Sequence, residues 1–241
     1  MLDGVLAVDK GGGILSSKVV DKVKRVLKEG GIVSKVGHGG TLDKFASGLL
    51  LILLGKATKL FEEIKDLPKV YVGVIKLGEV RTTDDVYGEV VQSFDSVSVS
   101  RNDIEVALKN FEGEILQLPP AFSSVHIEGR RAYQIAKRDY YSALRSLKPK
   151  KVNVYKIELL EFDPDNAEVR VFVKCSGGTY IRSIARDLGQ ILGTGAFLKE
   201  LRREAIGNVS VDGAVGSSEI SVDVILRKLV SIDEFRKANS L

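Results

Sequence analysis

Two strand-like segments separated by a very short turn constrain the fold of this chain more than any other feature. Residues 152–162 and 167–174 are rich in Val, Leu, Ile and Phe, and only the turn at residues 163–166, Asp-Pro-Asp-Asn, lies between them. These turn residues suit a tight reversal, whereas parallel neighbours need a connection of about a dozen residues or more. The segments therefore predict an antiparallel hairpin in a sheet-containing fold.

Other segments alternate irregularly between strand and helix patterns. Residues 70–77 predict a strand with Tyr71 on the face opposite the valines, and residues 89–93 are predicted to pair with it. Neighbouring strands close in sequence favour an α+β fold with a mixed, largely antiparallel sheet flanked by helices. The sequence also predicts a strand at 5–8, a helix capped by Ser16 or Ser17 and ended by Gly30, and a helix with a Ser100–Asp103 capping box. A further helix is predicted after Thr179 as its cap, with apolar residues Ile181, Ile184, Ala185, Leu188 and Ile191. One or two helices are predicted at 220–229 and 232–235.

Composition excludes several classes of protein. A hydrophobic content of 44% with abundant Val, Leu and Ile predicts an ordered aliphatic core rather than a disordered chain. Cys175 is the only cysteine, so no internal disulfide forms and a reducing compartment is expected. The longest apolar run, 49–54, is far shorter than the roughly 20 residues of a membrane helix, and the N-terminus lacks the pattern of a secretory signal. We expect a cytoplasmic protein with no membrane partner.

Positive charge is concentrated in residues 118–151. This stretch has eight Arg and Lys side chains and only two acidic ones, with three tyrosines among them. The net charge of +4 and the pI of 9.0 permit a polyanionic partner, although a solvated face would have the same composition. The basic side chains are those of Arg130, Arg131, Lys137, Arg138, Arg145, Lys148, Lys150 and Lys151.

The spacing of key residues excludes two familiar kinds of site. Residues 55–58, Gly-Lys-Ala-Thr, hint at a phosphate loop, but Gly48 lies too far upstream and Ala57 stands where Ser or Thr should bind magnesium. Two histidines and one cysteine are too few to build a zinc site without carboxylates. We expect neither a metal nor a cofactor.

A glycine-rich loop precedes the apolar run and presents one carboxylate and one imidazole. Residues 37–48 read GHGGTLDKFASG, and glycines let a backbone approach a flat or charged ligand closely. On spacing alone, Asp43 could equally be a helix cap before Lys44. His38 could likewise be a structural or a surface histidine.

The whole string resembles the signature of the TruB family of pseudouridine synthases, usually GHGGTLDPxASG. Further segments resemble the family's motifs in the family's order, and together they cover roughly residues 4–207, which unrelated coincidences do not readily produce. These segments are Val8-Asp9-Lys10 with Ser16-Ser17, Lys69-Val70-Tyr71, residues 82–90, residues 118–123, residues 129–133, residues 176–183, and Leu201-Arg202-Arg203.

The resemblance implies roles for individual residues. Asp43 would act on the target nucleotide, either by attacking the ribose or by assisting formation of a glycal, and Arg182 would pair with it. Tyr71 would stack on the flipped uracil and is a candidate base for the C5 proton. Taken singly, Tyr71, Tyr180 and Leu201 could be ordinary core residues, and Arg182 a solvated one. The resemblance also implies six substrate-binding residues. Lys10 would support the catalytic loop, and His38 would fill the space left by the flipped base. Tyr180 and Leu201 would line the pocket, and Arg130 and Arg131 would lie in an insertion that binds the RNA stem.

Some positions depart from the family's pattern. Gly11 follows Lys10 where the family has proline, Lys44 replaces the proline after the aspartate, and His126 stands near the place of a lysine. The resemblance implies a pseudouridine synthase fold over residues 1–207, with an RNA-binding insertion at about 118–151. A short helical tail at 208–241 would stand in place of the C-terminal PUA domain that most relatives carry.

We therefore expect an isomerase that converts a T-loop uridine of tRNA, at position 55, to pseudouridine as a monomer. One alternative is a dyskerin-like enzyme that works inside a guide-RNA particle, although residues 82–90 and 130–133 look bacterial. A second alternative is a catalytically silent RNA-binding or tRNA-folding module. The presence of Asp43, Tyr71 and Arg182 together argues against it, since a pure binder has no need of that carboxylate beside RNA phosphates.

Overall fold

The computed structural model describes residues 2–95 and 97–241, which form two compact units. The first unit comprises Met1–Tyr71 and Leu201–Leu241, and the second comprises Val72–Glu200. No helix in the described part of the chain is long and apolar enough to cross a membrane. The predicted domain boundaries at 1–207 and 208–241 remain a prediction.

The first unit is built around a strand that is buried on both faces. Leu50, Ile52 and Leu54 of this strand pack in the core that includes the helix Ser16–Glu29, and the odd-numbered leucines 49, 51 and 53 pack in a second core on the opposite face. Burial on both faces explains why the sequence reads as one uninterrupted apolar run. The elements up to Tyr71 are β1 (Gly4–Lys10), α1 (Ser16–Glu29), β2 (Val36–His38), β3 (Ser47–Leu54), a 3-10 turn at Gly55–Leu60, α2 (Phe61–Asp66) and the start of β4 (Lys69–Leu77).

The second unit has an antiparallel sheet with helices and two small hairpins. Strand order is β4-β11-β10-β7, in which β10 pairs antiparallel with both β7 and β11. The elements are β5 (Glu79–Arg81), β6 (Val90–Ser93), α3 (Arg101–Lys109), β7 (Gly113–Gln117), β8 (His126–Ile127), β9 (Arg130–Arg131), α4 (Ala132–Ala136), α5 (Tyr140–Ser146), β10 (Lys150–Asp163), β11 (Glu168–Cys175), α6 (Ile181–Leu192) and β12 (Ala196–Ile206), which ends in the first unit.

The C-terminal residues complete the first unit. β1 pairs antiparallel with β3, whereas β12 pairs parallel with β3 through Arg202↔Ser47 and Arg203↔Gly48. Phe235 is buried in the second core, which anchors the tail. These last elements are β13 (Val209–Ser210), β14 (Val215–Gly216), α7 (Val222–Lys228) and α8 (Ile232–Asn239).

Most predicted elements are confirmed. The hairpin of β10 and β11, the strand at the N-terminus, the capping box of α3 and the two tail helices all form. Mixed pairing and helices on the sheet confirm the α+β class.

Several predictions are wrong in detail, and in three of them a hydroxyl or a strand binds a different partner from the predicted one. Ser16 does not cap α1, since its hydroxyl bonds the backbone of Leu42. Thr179 does not cap α6, since its hydroxyl donates to the Ser176 carbonyl and the helix begins later. Strand β6 pairs with β5 rather than with β4, and Ile191 is exposed.

Candidate active site

Asp43 lies on the loop that joins β2 to β3. These strands pair antiparallel through Val36↔Leu54, so residues 39–46 close a hairpin. Leu42 and Ala46 are buried on either side of Asp43, which is itself half-buried. No helix begins at Lys44, so the helix-cap interpretation of Asp43 is wrong. The loop therefore presents the carboxylate from a fixed backbone.

Hydrogen bonds from the chain before and within α1 hold the middle of this loop. The Ser16 hydroxyl donates to the Leu42 carbonyl at 2.8 Å and accepts from its N–H at 3.0 Å. The N–H of Gly13 donates to the Lys44 carbonyl at 2.8 Å. The backbone on both sides of Asp43 is therefore fixed.

The Lys10 ammonium is fully buried beneath the end of the loop. It donates to the carbonyls of Gly11, Ile14 and Ala46 at 3.0, 2.8 and 2.5 Å. Three carbonyls satisfy all three N–H donors of an ammonium group. The supporting role implied for Lys10 agrees with this geometry, even though Gly11 replaces the usual proline.

Arg203 holds the other end of the loop and was not predicted as a site residue. Its guanidinium, 2% exposed, donates to the carbonyls of Leu49, Gly40 and Thr41 at 2.7, 3.2 and 3.4 Å. Beneath it, Gly48 has φ +103°, and a Cβ there would lie 2.3 Å from the Arg203 carbonyl oxygen. Glycine is therefore required where β3 meets β12.

Burial and charge shift the pKa values of two basic groups here. Burial is the main cause that lowers the Lys10 pKa to about 8, and Arg203 lowers it further while Asp43 opposes the shift. Burial, followed by Arg203, also lowers the pKa of His38. The His38 Nδ1 accepts from the Gly40 N–H at 3.3 Å, as a neutral imidazole can.

Tyr71 and Leu201 are both buried in the first unit, each at 8% exposure. Tyr71 lies on the buried face of β4, whose alternate residues Val70, Val72 and Val74 are half-exposed, as the alternation predicted. Leu201 lies on β12, two residues before Arg203. Five of the predicted residues thus belong to the first unit: Lys10, His38, Asp43, Tyr71 and Leu201.

Arg182 belongs to the second unit, in the first turn of α6. Its guanidinium donates to the carbonyls of Thr83 at 2.9 Å and Phe122 at 3.2 Å, and lies 3.6 Å from the Asp85 carboxylate. At 4% exposure it is not a solvated helix residue, so that alternative is wrong. Its predicted pairing with Asp43 remains a prediction.

The other predicted residues of the second unit differ in exposure. Tyr180 is half-buried and immediately precedes α6, where its backbone exchanges two hydrogen bonds with the Gln117 amide. Arg130 and Arg131 are exposed on the β8–β9 hairpin, and Arg131 also donates to the Ser124 carbonyl. A small core of its own supports this hairpin and helices α4 and α5.

Comparison with known proteins identifies the family. The model of the TruB family pseudouridylate synthase N-terminal domain matches residues 24–181, which is more than half of the chain. The chain belongs to the TruB family. The matched range includes His38, Asp43, Tyr71, Tyr180 and the insertion, whereas Lys10, Arg182 and Leu201 lie outside it.

Curated relatives agree with this assignment to the TruB family. A protein named tRNA pseudouridine synthase B from Aquifex aeolicus is 42% identical over 90% of this chain and 73% of its own length. One of the same name from Prochlorococcus marinus is 43% identical over 83% of this chain, which spans only 61% of that relative. A third, from Endomicrobium trichonymphae, is 39% identical over 96% of this chain and 97% of its own length.

Solved structures share the fold. The crystal structure of a Cbf5-Nop10-Gar1 complex contains a chain with a TM-score of 0.68 and 31% identity, covering 98% of this chain and 59% of that one. An H/ACA RNP bound to a substrate RNA containing 2′-deoxyuridine gives a TM-score of 0.65 and 29% identity over 98% of this chain and 58% of that one. The expected pseudouridine synthase fold is thereby confirmed.

Within the described ranges, no group of three His, Cys, Asp or Glu side chains is placed to hold a metal ion. The cations that surround the Asp43 loop bind backbone carbonyls instead.

Arg203 was overlooked in the sequence because its motif gives no indication that a strand residue contacts a loop some 160 positions earlier. Only the parallel pairing of β12 with β3 brings them together.

Proposed function

We propose that this chain isomerises the T-loop uridine at position 55 of tRNA to pseudouridine, with Asp43 as the catalytic carboxylate. The observation that carries the proposal is the anchored loop of a TruB-family member, in which Lys10, Ser16 and Arg203 hold the backbone around Asp43. Such anchoring suits a group that must meet a reacting atom in one orientation.

The reaction breaks the N1–C1′ glycosidic bond, turns the uracil and forms a C5–C1′ bond. The C5 proton leaves and N1 gains one, so atoms balance without an oxidant, a metal or a cofactor. Asp43 acts beside C1′, either as a nucleophile or by assisting a glycal intermediate. Both routes need an ionised carboxylate in a place shielded from bulk water.

Further side chains complete the proposed pocket for a flipped nucleotide. Tyr71 stacks on the uracil and is the candidate base that removes the C5 proton. Arg182 pairs with Asp43. Neutral His38 occupies the space left in the RNA when the base leaves its stack. Tyr180 and Leu201 form the pocket walls, and the buried positions of Tyr71 and Leu201 support an apolar lining.

The tRNA T-arm is the proposed partner, bound by the basic insertion at about 118–151. The eight Arg and Lys side chains of this insertion are all exposed. Exposed cations suit phosphate contacts, which recognise the shape of a stem without reading its sequence. We further propose that the protein acts as a monomer in the cytoplasm and that residues 1–207 carry the catalytic domain.

Two other functions would use the same fold. The solved structures named above include a substrate-bound RNP and a multi-protein complex, which raises the guide-RNA alternative. Identity of 42% and 43% to proteins named tRNA pseudouridine synthase B, against 31% and 29% to those chains, favours the stand-alone enzyme. A catalytically silent module would have no need for an anchored Asp43 loop.

The test uses the purified protein and two tRNA transcripts labelled with tritium at uridine C5. One transcript carries uridine at position 55, and the other carries cytidine there. The proposal predicts that the protein alone releases tritium from the first transcript and that chemical mapping places one pseudouridine at position 55. The second transcript should release none.

Each other outcome points to a different function. Equal release from both transcripts would mean that another uridine is the target. Tight binding of both transcripts without release would favour the silent module. Release that appears only after a guide RNA and partner proteins are added would favour the guide-RNA enzyme.

A further inference from the structure

The second unit contains a buried ion pair next to Arg182 that no proposed catalytic step uses. Arg186 lies one turn after Arg182 on α6, and its Nη1 atom is 3.1 Å from the Asp84 carboxylate. The Asp84 and Arg186 side chains are only 6% and 12% exposed. Burying charges in this way is unfavourable for stability unless each is well paired.

Arg186 also binds the first residues of the insertion. Its Nη2 atom donates to the Leu118 carbonyl at 2.8 Å, and its Nε atom donates to Asp187 at 2.8 Å. The hydroxyl of Ser183 donates to the same Leu118 carbonyl at 2.8 Å. Helix α6 therefore holds the point where the insertion leaves β7.

The backbone of Asp84 adopts an unusual conformation. Its φ is +56°, in the left-handed region that non-glycine residues seldom adopt. Its carbonyl accepts from the Leu198 N–H at 3.0 Å, which fixes the loop on β12. Strained, buried charged residues are more typical of functional positions than of simple surface loops.

Asp84 and Arg186 are connected to Arg182 from two sides. The neighbours of Asp84 in sequence, Thr83 and Asp85, both contact the Arg182 guanidinium, at 2.9 and 3.6 Å. On the other side, the Phe122 carbonyl in the insertion accepts from Arg182 at 3.2 Å. The loop and the insertion that hold Arg182 are thus the same two segments that Asp84 and Arg186 join.

The insertion also approaches the pair through α5. Burial and the charge of Asp84 raise the pKa of Tyr140, the first residue of α5, while Arg186 opposes this. The charged groups that face Asp84 are therefore Arg182, Arg186 and Asp187 on α6, and the neutral but titratable Tyr140 faces it from the insertion.

We propose that Asp84 and Arg186 are positioning residues whose ion pair ties the RNA-binding insertion to the loop that orients Arg182. RNA held by the insertion then meets Arg182 in its reactive orientation. Because it gives Arg182 a part in the isomerisation, this inference rests on the proposed function. Neither side chain touches the substrate, so the rate of reaction should depend on them more than the affinity for RNA.

The test measures two quantities for each variant: the single-turnover rate of tritium release at saturating tRNA, and the Kd for tRNA. Asp84→Asn and Arg186→Gln should each lower the rate by about tenfold or more, since small displacements of a reacting group have effects of that order. Their Kd values should stay close to that of the wild type. The double variant should be no slower than the slower single one, because both changes break the same pair.

Controls separate positioning from general damage. Glu114→Gln removes another ion pair of the same unit, between Glu114 and Lys151, which involves neither α6 nor the loop of Asp84, and it should leave the rate unchanged. Arg186→Lys keeps a positive charge but lacks the planar fork that reaches Asp84, Asp187 and Leu118 together. It should fold and still be slow, so it carries the test if Asp84→Asn fails to fold.

The pH dependence gives a readout that a merely structural role would not move. Burial, opposed by Arg186 and Arg182, raises the pKa of Asp84 to about 6. The wild-type rate should therefore fall as the pH drops through about 6, because protonation neutralises one side of the pair. Asp84→Asn should lack this fall and keep only the pH dependence that it shares with the wild type, including that of His38 and Lys10.

The outcomes for the inference and for the proposed function are distinct. If the wild type releases no tritium from tRNA, the proposed function fails. If the wild type is active but the Asp84 and Arg186 variants match its rate, or become slower only in proportion to weaker binding, the positioning role is overturned alone. An unchanged acid limb in Asp84→Asn would also overturn it.

Discussion

Lys10 and Arg203 in the first unit and Arg130 and Arg131 in the second are all cations, yet their surroundings are opposite. Lys10 and Arg203 are 0% and 2% exposed, and each donates to three backbone carbonyls around the Asp43 loop. Arg130 and Arg131 are exposed on a short hairpin supported by a small core.

This contrast separates two uses of positive charge in one RNA-modifying fold. A buried cation that donates to backbone carbonyls fixes the backbone and is shielded from RNA phosphates. An exposed cation does little for folding but can replace the counterions of RNA phosphates. Changes in the first group should therefore alter the rate and the stability, and changes in the second should alter binding and its salt dependence.

Among the variants of these cations, the largest effect is expected from Arg203→Met. It leaves the carbonyls of Leu49, Gly40 and Thr41 without their donor, which should lower the free energy of unfolding by on the order of 3 kcal/mol. The displaced Asp43 loop should slow single-turnover tritium release by about a hundredfold. Urea unfolding and the single-turnover assay, run well below the melting temperature, measure the two effects.

Arg202→Met is the matched control for that prediction. Arg202 is the preceding residue on β12, but it is 37% exposed and pairs with Asp9. Removal of such a pair should change the free energy of unfolding by about 0–1 kcal/mol. If Arg202→Met reacted as slowly as Arg203→Met, the predicted difference between buried and exposed cations of the first unit would be contradicted.

A smaller effect, and one of a different kind, is expected from the double variant Arg130→Ala/Arg131→Ala. At low salt its Kd for tRNA should rise by about tenfold, and the slope of log K against log salt should become shallower by about 0.7–0.9 for each phosphate that is no longer neutralised. The rate at saturating tRNA should not change. Arg101→Ala, an exposed arginine on α3, serves as the control and should keep the wild-type slope.

The smallest effect on the reaction rate is expected from deprotonation of Lys10 at high pH. Above a pH of about 8 the buried amine loses its proton, so one of the carbonyls of Gly11, Ile14 and Ala46 loses its donor. The single-turnover rate should fall a few-fold through this range, and a Lys10→Met variant should lack this limb. A rate that stays flat well above this pKa would contradict the role given to the charged form.

Stability should respond to the same titration in the opposite direction. Burial lowers the Lys10 pKa from 10.5 to about 8, so between these values the unfolded chain binds the proton more readily than the folded one. The contribution of Lys10 to the free energy of unfolding therefore rises as the pH increases through this window. The difference in unfolding free energy between wild type and Lys10→Met, followed against pH, isolates it.

Local patterns in the sequence predicted local structure well. The Ser100–Asp103 capping box, the turn at 163–166 and the alternation around Tyr71 depend on neighbours along the chain, and all three are present. Ser16 was assigned a wrong partner because Leu42, which it binds, is distant in sequence. β6 was assigned to β4 because the short strand β5 between them was not recognised. A serine before an apolar helix fits a cap, until a tertiary hydrogen bond uses its hydroxyl.

The candidate site was predicted only as far as its motifs reach. Asp43 and His38 lie in the segment that the family signature marks, and Lys10 lies in a separate motif on β1. Arg203 and the Asp84–Arg186 pair act through contacts with carbonyls and carboxylates that no spacing rule predicts. Residues that touch a substrate leave a pattern of types, whereas residues that hold those in place are found from the folded chain.

The most direct test of the central claim compares Asp43→Asn with Asp21→Asn on the same tritium-labelled tRNA. Asp21 is an exposed aspartate on α1 and serves as the matched control. The account predicts that Asp43→Asn binds tRNA with a Kd near that of the wild type and releases no tritium, while Asp21→Asn does both as the wild type does. Tritium release by Asp43→Asn at a rate close to the wild type would contradict the assignment of Asp43 as the catalytic carboxylate.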